Sequence, residues 1–164
     1  RLLITAIAPA LAELSSGGIP DTPAARRFLI AIALQESQLA HRRQVSSDGS
    51  ENGPAASFFQ FERAGGCRGV LKHKATADHM KRICDAYNVE QTEQGLWDAM
   101  RYNDIVAAAA ARLLIYSLPA ALPTNEQDGW AQYLSAWRPG KPHPEKWAEC
   151  WATSDNIVSM TSKE

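Results

Sequence analysis

The run from residue 105 to residue 115 restricts the fold more than any other feature, because nearly all of its side chains are apolar or small. Val106 is followed by five consecutive alanines, and after one arginine the apolar run resumes. A helix that is apolar on nearly every side has to be surrounded by other elements. We therefore predict a central helix over about residues 103–117, within a mainly helical fold.

A second clear helix begins near residue 22. Asp21 or Thr22 can accept hydrogen bonds from the free backbone amides of its first turn, and Pro23 suits the first helical position. The helical pattern continues to about residue 40. Start and stop signals predict further helices at residues 2–14, near 77–88 with Thr76 as the cap, near 91–101, from Asn125 to Arg138, and from about His143 onward.

Two other segments carry turn-forming residues. Residues 44–61 are rich in Ser, Gly, Asn and Asp and include a Gly-Pro step, which predicts an irregular loop or a small β-hairpin. The stretch at residues 65–69 has neither phosphate-loop signature, and we interpret it as a turn. Trp147 and Trp151 lie four residues apart on one face of the last helix, and we interpret them as packing residues.

Composition limits the range of functions. The chain has 164 residues, 45% of them hydrophobic, which suits one domain over residues 1–164. A net charge of −1 gives no strong basic field, so nucleic acid is not an expected partner. The apolar residues 1–14 contain Pro9 and Glu13 and are too few to span a bilayer. We interpret them as a packed helix rather than a secretion signal, and we expect a monomer.

Cysteine and histidine do not form a recognisable reactive or metal-binding pattern. The three cysteines cannot all pair within one chain, so we expect free, partly buried thiols. Cys67, His73, His79 and Cys84 are side chains of the kinds that zinc prefers, but their spacing matches no closed zinc site. We therefore predict neither a metal site nor a cofactor.

Glu36 is the residue at which the pattern points to chemistry. In the second helix it shares a stripe with Phe28, Ile32 and Leu39, at spacings of four, four and three. Burial and the partial negative charge of a helix C-terminus both disfavour the ionised carboxylate there, so we expect a raised pKa. Glycoside cleavage needs such a carboxylic acid as proton donor near neutral pH.

The residues around Glu36 resemble a known family. At residues 33–37, Glu36 followed by Ser37 looks like the Glu-Ser motif of lytic transglycosylases and goose-type lysozymes. Residues 53–61 are similar to the family's second motif, which begins with glycine and ends in an aliphatic or aromatic pair and a glutamine. This similarity places Gln60 at the glutamine that contacts the substrate.

Two later segments resemble the remaining motifs of this family in the same order. The apolar helix at residues 103–115 is similar to the alanine-rich third motif. Residues 133–140 look like the Ala-Tyr-Asn-Ala-Gly motif, with Trp137 at the tyrosine and Arg138 at the asparagine. The resemblance covers about residues 20–140, and the wording is closest to phage or prophage lysozyme-like proteins, the endolysin class.

The resemblance implies a lysozyme-like fold and a glycosidase that degrades peptidoglycan. The substrate would be the β-1,4 bond between N-acetylmuramic acid and N-acetylglucosamine, with Glu36 as general acid and base. Sugar rings suit aromatic platforms with polar neighbours. The candidate substrate-binding residues are the hydrogen-bonding Ser37 and Gln60 and the aromatic Phe59, Tyr133 and Trp137.

The type of reaction depends on which group attacks the sugar when the glycosidic bond breaks. If the sugar's own 6-hydroxyl attacks, the protein is a transglycosylase and needs no second carboxylate. If water attacks, a second carboxylate should hold it. Asp48, Glu51 and Glu62 are the nearest candidates in sequence.

Two other functions remain open at this stage. The replacements at Trp137 and Arg138 are compatible with an inactive wall-binding or virion structural protein that has kept the scaffold. A helical module that binds nucleic acid or another protein is the third alternative. For the enzyme, we expect action in the periplasm or on the cell wall, with release by a holin or delivery in a virion.

Overall fold

The computed structural model describes residues 1–162 and is mainly helical, with one two-stranded antiparallel sheet in this range. The prediction of a mainly helical fold with a short hairpin near residues 44–61 is confirmed. Two short π-helical segments, Leu3–Ile7 and Arg63–Cys67, lead directly into α1 and α3. The elements are α1 (Ala8–Ser16), α2 (Pro23–Ser37), β1 (Ala55–Ala56), β2 (Phe61–Glu62), α3 (Arg68–Lys72), α4 (Ala77–Ala86), α5 (Glu93–Met100), α6 (Asp104–Tyr116), α7 (Glu126–Trp137) and α8 (Pro144–Thr161).

Helix α6 lies at the centre of the fold, as its apolar sequence predicts. It contacts α1, α2, α3, α4, α5 and α7. Asn103 caps it by accepting hydrogen bonds from the amides of Ile105 and Val106. Its five consecutive alanines are all buried, and their small side chains allow neighbouring helices to approach closely.

The first helix packs into the core. Leu3, Ile7, Leu11 and Leu14 are buried, and the helix contacts α6. The interpretation of this segment as a packed helix is confirmed. None of the helices within residues 1–162 combines the length and the apolarity that a bilayer crossing requires.

Helices α2 and α8 form the most extensive interhelical contact in the described chain. Phe28 on α2 lies edge-on to Trp147, with ring centroids 6.4 Å apart, and contacts Trp151 at the same separation. Both tryptophans are buried, which confirms that they serve in packing. Gly129 on α7 lies against Trp151, since a Cβ at this glycine would come within 2.5 Å of the indole.

Two local predictions are wrong. Residues 65–69 are helical rather than a turn, because burial of Cys67 and Val70 anchors this segment to the core. Gly66 permits this packing, since a Cβ there would lie 2.8 Å from the Phe61 ring. Thr76 precedes α4 but does not cap it, because its hydroxyl donates to the carbonyl of Val70 at 2.8 Å.

Replacement of Gly129 by alanine tests the close contact between α7 and α8. We expect Gly129→Ala to lower the free energy of unfolding by about 1 to 2 kcal/mol, because overpacking outweighs the gain in helix propensity. Gly69→Ala is the matched control, since nothing lies within 4 Å of its added methyl group and α3 should gain stability. Urea denaturation measures both; equal stabilisation by the two substitutions would contradict the contact.

Candidate active site

Helix α2 carries Glu36, which is half-buried, in its last turn. Thr22 caps the start of the helix, since its hydroxyl accepts the amide of Ala25 at 3.1 Å. The helix ends at Ser37 and not near residue 40, because Gln38 and Leu39 both have left-handed φ angles of 51° and 57°. Such consecutive residues turn the chain sharply away. Glu36 is therefore in the final turn.

Ser37 connects this helix end to the hairpin. Its hydroxyl lies 2.9 Å from the carbonyl of Ala33 and 2.8 Å from the carbonyl of Phe58, and it accepts the amide of Leu39 at 3.3 Å. A hydroxyl has only one hydrogen to donate, and Ser37 donates it to the backbone carbonyls. Ser37 lines the groove described below, and because its oxygen can accept a further hydrogen bond, its contact with the substrate stays a prediction.

Tyr133 on α7 donates a hydrogen bond to Oε1 of Glu36, with the two oxygens 2.5 Å apart. Burial raises the pKa of Glu36 to about 7, and this hydrogen bond acts in the opposite direction because it favours the ionised form. Burial and the nearby carboxyl group also raise the pKa of Tyr133 well above its usual value, so Tyr133 remains a donor. Oε2 of Glu36 has no hydrogen-bond partner among residues 1–162.

Tyr133 is therefore a partner of the acid, and although it lines the groove, its ring is too buried to serve as a sugar platform. Its side chain is only 3% exposed. The ring is stacked against Trp147, with centroids 5.4 Å apart, and lies 6.2 Å from the ring of Trp137 on another side. Enclosure by these indoles fixes the direction in which the hydroxyl points, which is toward Glu36.

The prediction of a platform at Phe59 is also wrong. Phe59 is 1% exposed and belongs to the core, so its ring has no face to offer a sugar. Its carbonyl accepts the indole N–H of Trp137 at 2.8 Å, which ties α7 to the hairpin turn. Trp137 itself is half-buried and lines the groove. The tyrosine that contacts the acid is Tyr133, one turn earlier than the motif position assigned to Trp137.

A groove of about 760 Å³ runs past Glu36. Its walls come from the end of α2, the hairpin region, and the end of α7 with the connection to α8. The candidate substrate-binding residues Ser37, Gln60 and Trp137 lie on these three walls, whereas the sequence did not indicate the part formed by the connection to α8. Gln60 lines the groove from the hairpin turn, where it has a left-handed φ of 52° and its side-chain amide donates to the carbonyl of Ser57.

Of the three candidate second carboxylates, only Glu62 lines this groove. The Asp48 carboxylate accepts hydrogen bonds from the amide and hydroxyl of Ser50, which lower its pKa. Glu51 pairs with His41 at 2.8 Å. Glu62 is exposed and has no ion-pair partner among residues 1–162.

Burial raises the pKa of all three cysteine thiols. All three are free thiols, with Cys67 and Cys84 buried. Burial raises the pKa of Cys67 to about 12 and that of Cys84 to about 11, so neither is a thiolate near neutral pH. No group of three or more His, Cys, Asp or Glu side chains in this range is arranged to hold a metal ion.

Comparisons of the chain with protein-family models, with curated proteins and with solved structures give no match.

The raised pKa of Glu36 predicts a pH-dependent cost to stability. Between pH 4.5, its ordinary pKa, and about pH 7, the folded chain holds a proton that the unfolded chain has lost. Across this window the free energy of unfolding of the wild type should therefore fall by about 3 kcal/mol relative to that of Glu36→Gln, with no further change at higher pH. Urea denaturation from pH 4 to pH 9 measures the difference.

Glu90→Gln is the control for this measurement, because Glu90 is exposed and the same change of carboxylate to amide should give no such difference. A difference between wild type and Glu36→Gln that stays constant from pH 4 to pH 9 would contradict the raised pKa.

Tyr133→Phe isolates the hydrogen bond to Glu36. Because donation from Tyr133 lowers the pKa of Glu36, its removal should move that pKa above about 7. The difference in unfolding free energy between Tyr133→Phe and the double variant Tyr133→Phe/Glu36→Gln should therefore stop growing at a higher pH than the same difference measured in the wild-type background. An unchanged or lower midpoint would show that the hydroxyl does not interact with the carboxyl group in solution.

Proposed function

We propose that this protein is a glycosidase that degrades peptidoglycan, with Glu36 as the general acid and base. The observation that carries the proposal is a carboxyl group in a groove, with a pKa of about 7 and a tyrosine fixed against one of its oxygens. A carboxylic acid with this pKa is protonated in a large fraction of molecules at neutral pH and can donate to a leaving oxygen.

Burial and the Tyr133 hydrogen bond act at different stages of the proposed reaction. Burial keeps the proton on Glu36 before the reaction. Because Oε1 accepts from Tyr133, the unpartnered Oε2 is the oxygen that donates the proton to the glycosidic oxygen. The carboxylate formed by this transfer is stabilised by the same tyrosine, and it then acts as the base on the attacking hydroxyl.

The groove has side chains that suit a chain of amino sugars. Trp137 lines it with part of its indole accessible, while its N–H is already bonded to the Phe59 carbonyl, so the ring is held in place as a sugar platform. Gln60 offers a side-chain amide oxygen without a partner among residues 1–162 for a hydroxyl or N-acetyl group. The sites at Trp137 and Gln60 thus remain part of the proposal.

The type of reaction follows from the acceptor. Attack by the 6-hydroxyl of the sugar itself needs only Glu36 and leaves a 1,6-anhydro end. Attack by water leaves a reducing end and uses a second carboxylate. Glu62 is the residue in the groove that could hold this water, because it lines the same cavity and is not engaged in an ion pair.

The proposed site of action is the cell wall or periplasm, where the substrate lies, and the family resemblance points to a phage or prophage origin. A monomer is sufficient, because every side chain assigned a role belongs to one chain. The alternative is a wall-binding or virion structural protein without turnover. The replacement of the motif asparagine by Arg138, which lines the groove, favours this alternative.

Digestion of purified sacculi tests the proposal. Wild type should release muropeptides, and Glu36→Gln should be slower by about 100- to 10,000-fold because the proton donor is lost. The wild-type rate should fall as the pH rises through about 7, where Glu36 loses its proton. Mass spectrometry of the products distinguishes anhydro ends from reducing ends.

Glu90→Gln is the control and should digest sacculi at the wild-type rate, because this exposed residue lies outside the groove. Equal release by wild type and Glu36→Gln would remove Glu36 from the mechanism. Binding of sacculi without any release would support the structural alternative. If the products have reducing ends, Glu62→Gln should reduce their formation; unchanged formation would exclude Glu62 as the second carboxylate.

A further inference from the structure

One wall of the groove is cationic. The connection from α7 to α8 and the first turn of α8 contribute Arg138, Lys141, His143 and Lys146 to the lining. Gln35, the neighbour of Glu36 on α2, donates from its side-chain amide to the carbonyl of His143 at 3.0 Å. This hydrogen bond holds the cationic wall beside the end of the helix that carries the proton donor.

The three cations of this wall, Arg138, Lys141 and Lys146, form no ion pair within residues 1–162. Arg138 donates from Nε to the carbonyl of Ser135 over a long distance of 3.4 Å, and it forms no ion pair. Neither Lys141 nor Lys146 forms an ion pair or a side-chain hydrogen bond in this range. All three side chains are exposed, so their charges are available to a ligand in the groove.

Few negative charges face this wall. Glu36 and Glu62 are the acidic residues that line the groove, and Glu36 is largely protonated below pH 7. Glu145 lies in the first turn of α8 but pairs with His143 at 3.1 Å and does not line the groove. Glu145 offsets part of the charge of Lys146, since a hydrogen bond from its own backbone amide, His143 and Lys146 together lower the pKa of this carboxyl group. Glu36 and Glu62 are the only described carboxyl groups that share the cavity with Arg138 and Lys141.

The other basic side chains that line the groove, His41 and Arg43, are already engaged. His41 pairs with Glu51 at 2.8 Å. The guanidinium of Arg43 donates to the carbonyls of Gly53 and Asn52 and lies over the ring of Trp97. The free positive charge of the groove is thus concentrated on the side formed by α7 and α8.

Helix α8 adds to this positive charge. It is 18 residues long and begins at Pro144, and the residue before it, His143, makes no capping hydrogen bond with its side chain. The N-terminus of a helix carries a partial positive charge from its aligned peptide dipoles. This end of α8 lies at the same wall, since residues on both sides of Pro144 line the groove.

We propose that Arg138, Lys141 and Lys146 bind the carboxylate groups of the peptide stem carried by N-acetylmuramic acid. This inference rests on the proposed function, because it assigns a specificity to the same groove. The stem is attached to the sugar whose glycosidic bond would be cleaved, so its carboxylates lie near the proton donor when that sugar is bound. The protein therefore selects wall glycan with intact stems over neutral polymers of N-acetylglucosamine.

Binding in a Glu36→Gln background tests this selectivity without turnover. The ligands are soluble glycan strands freed of phosphate-bearing polymers, either with stems or with stems removed, and neutral oligomers of N-acetylglucosamine. At low salt, strands with stems should bind about five- to tenfold more tightly than the neutral oligomers. Strands without stems keep one lactyl carboxylate on each N-acetylmuramic acid, so their affinity should lie between these two. Addition of Lys141→Met and Lys146→Met should abolish the preference for stems, and high salt should reduce it.

Lys74→Met in the same background is the matched control, because Lys74 is exposed and lies outside the groove. It should keep the preference for stems. Equal affinity for strands with and without stems would overturn the inference, as would a preference that survives the double lysine substitution. Equal loss in Lys74→Met would show a nonspecific effect of charge and would overturn it too.

The result is separable from that of the glycosidase assay. Binding that depends on stems, together with no digestion of sacculi by wild type, would refute the enzyme and retain the stem site. If the wild type digests sacculi but strands with and without stems bind equally tightly, the glycosidase proposal stands and the stem site is refuted.

Discussion

The burial of the Glu36 carboxyl group against Tyr133 is the interaction on which the candidate site depends. Burial alone would favour the neutral acid so strongly that the anion formed during a reaction would be costly. The hydroxyl of Tyr133, 2.5 Å from Oε1, offsets part of that cost. The resulting pKa of about 7 lets one side chain serve first as an acid and then as a base.

The rest of the fold holds these two groups in place. Tyr133 is fixed by stacking on Trp147, whose position is set in turn by contact with Phe28 on the same helix as Glu36. The hydroxyl of Ser37 and the indole of Trp137 tie the ends of α2 and α7 to the hairpin turn. The same contacts therefore pack the core and position the site, so substitutions of Trp137 or Trp147 should affect both.

The sequence predicts the elements that depend on local chemistry. Thr22 and Pro23 mark the start of α2, the apolar run marks α6, and the stripe on α2 identifies Glu36 as a carboxyl group in an apolar setting. Such features need only the spacing of residues along one helix. The hairpin region is likewise predicted from local sequence, because it is rich in turn-forming residues.

Long-range contacts account for what the sequence did not show. Tyr133 and Trp137 lie on one face of α7, but spacing does not reveal which one reaches Glu36 from another helix. Phe58, Phe59 and Phe61 form one aromatic segment in the sequence, and tertiary packing buries all three rings. The cationic wall comes from a connection between helices, where no periodic pattern indicates which side chains face the groove.

The protonation state of Glu36 is the central claim, and infrared difference spectroscopy measures it directly. The difference between wild type and Glu36→Gln should contain the band of a neutral carboxylic acid at pH 6, and that band should be lost with a midpoint near pH 7. A band that is lost with a midpoint near the ordinary value of 4.5 would contradict the proposed site.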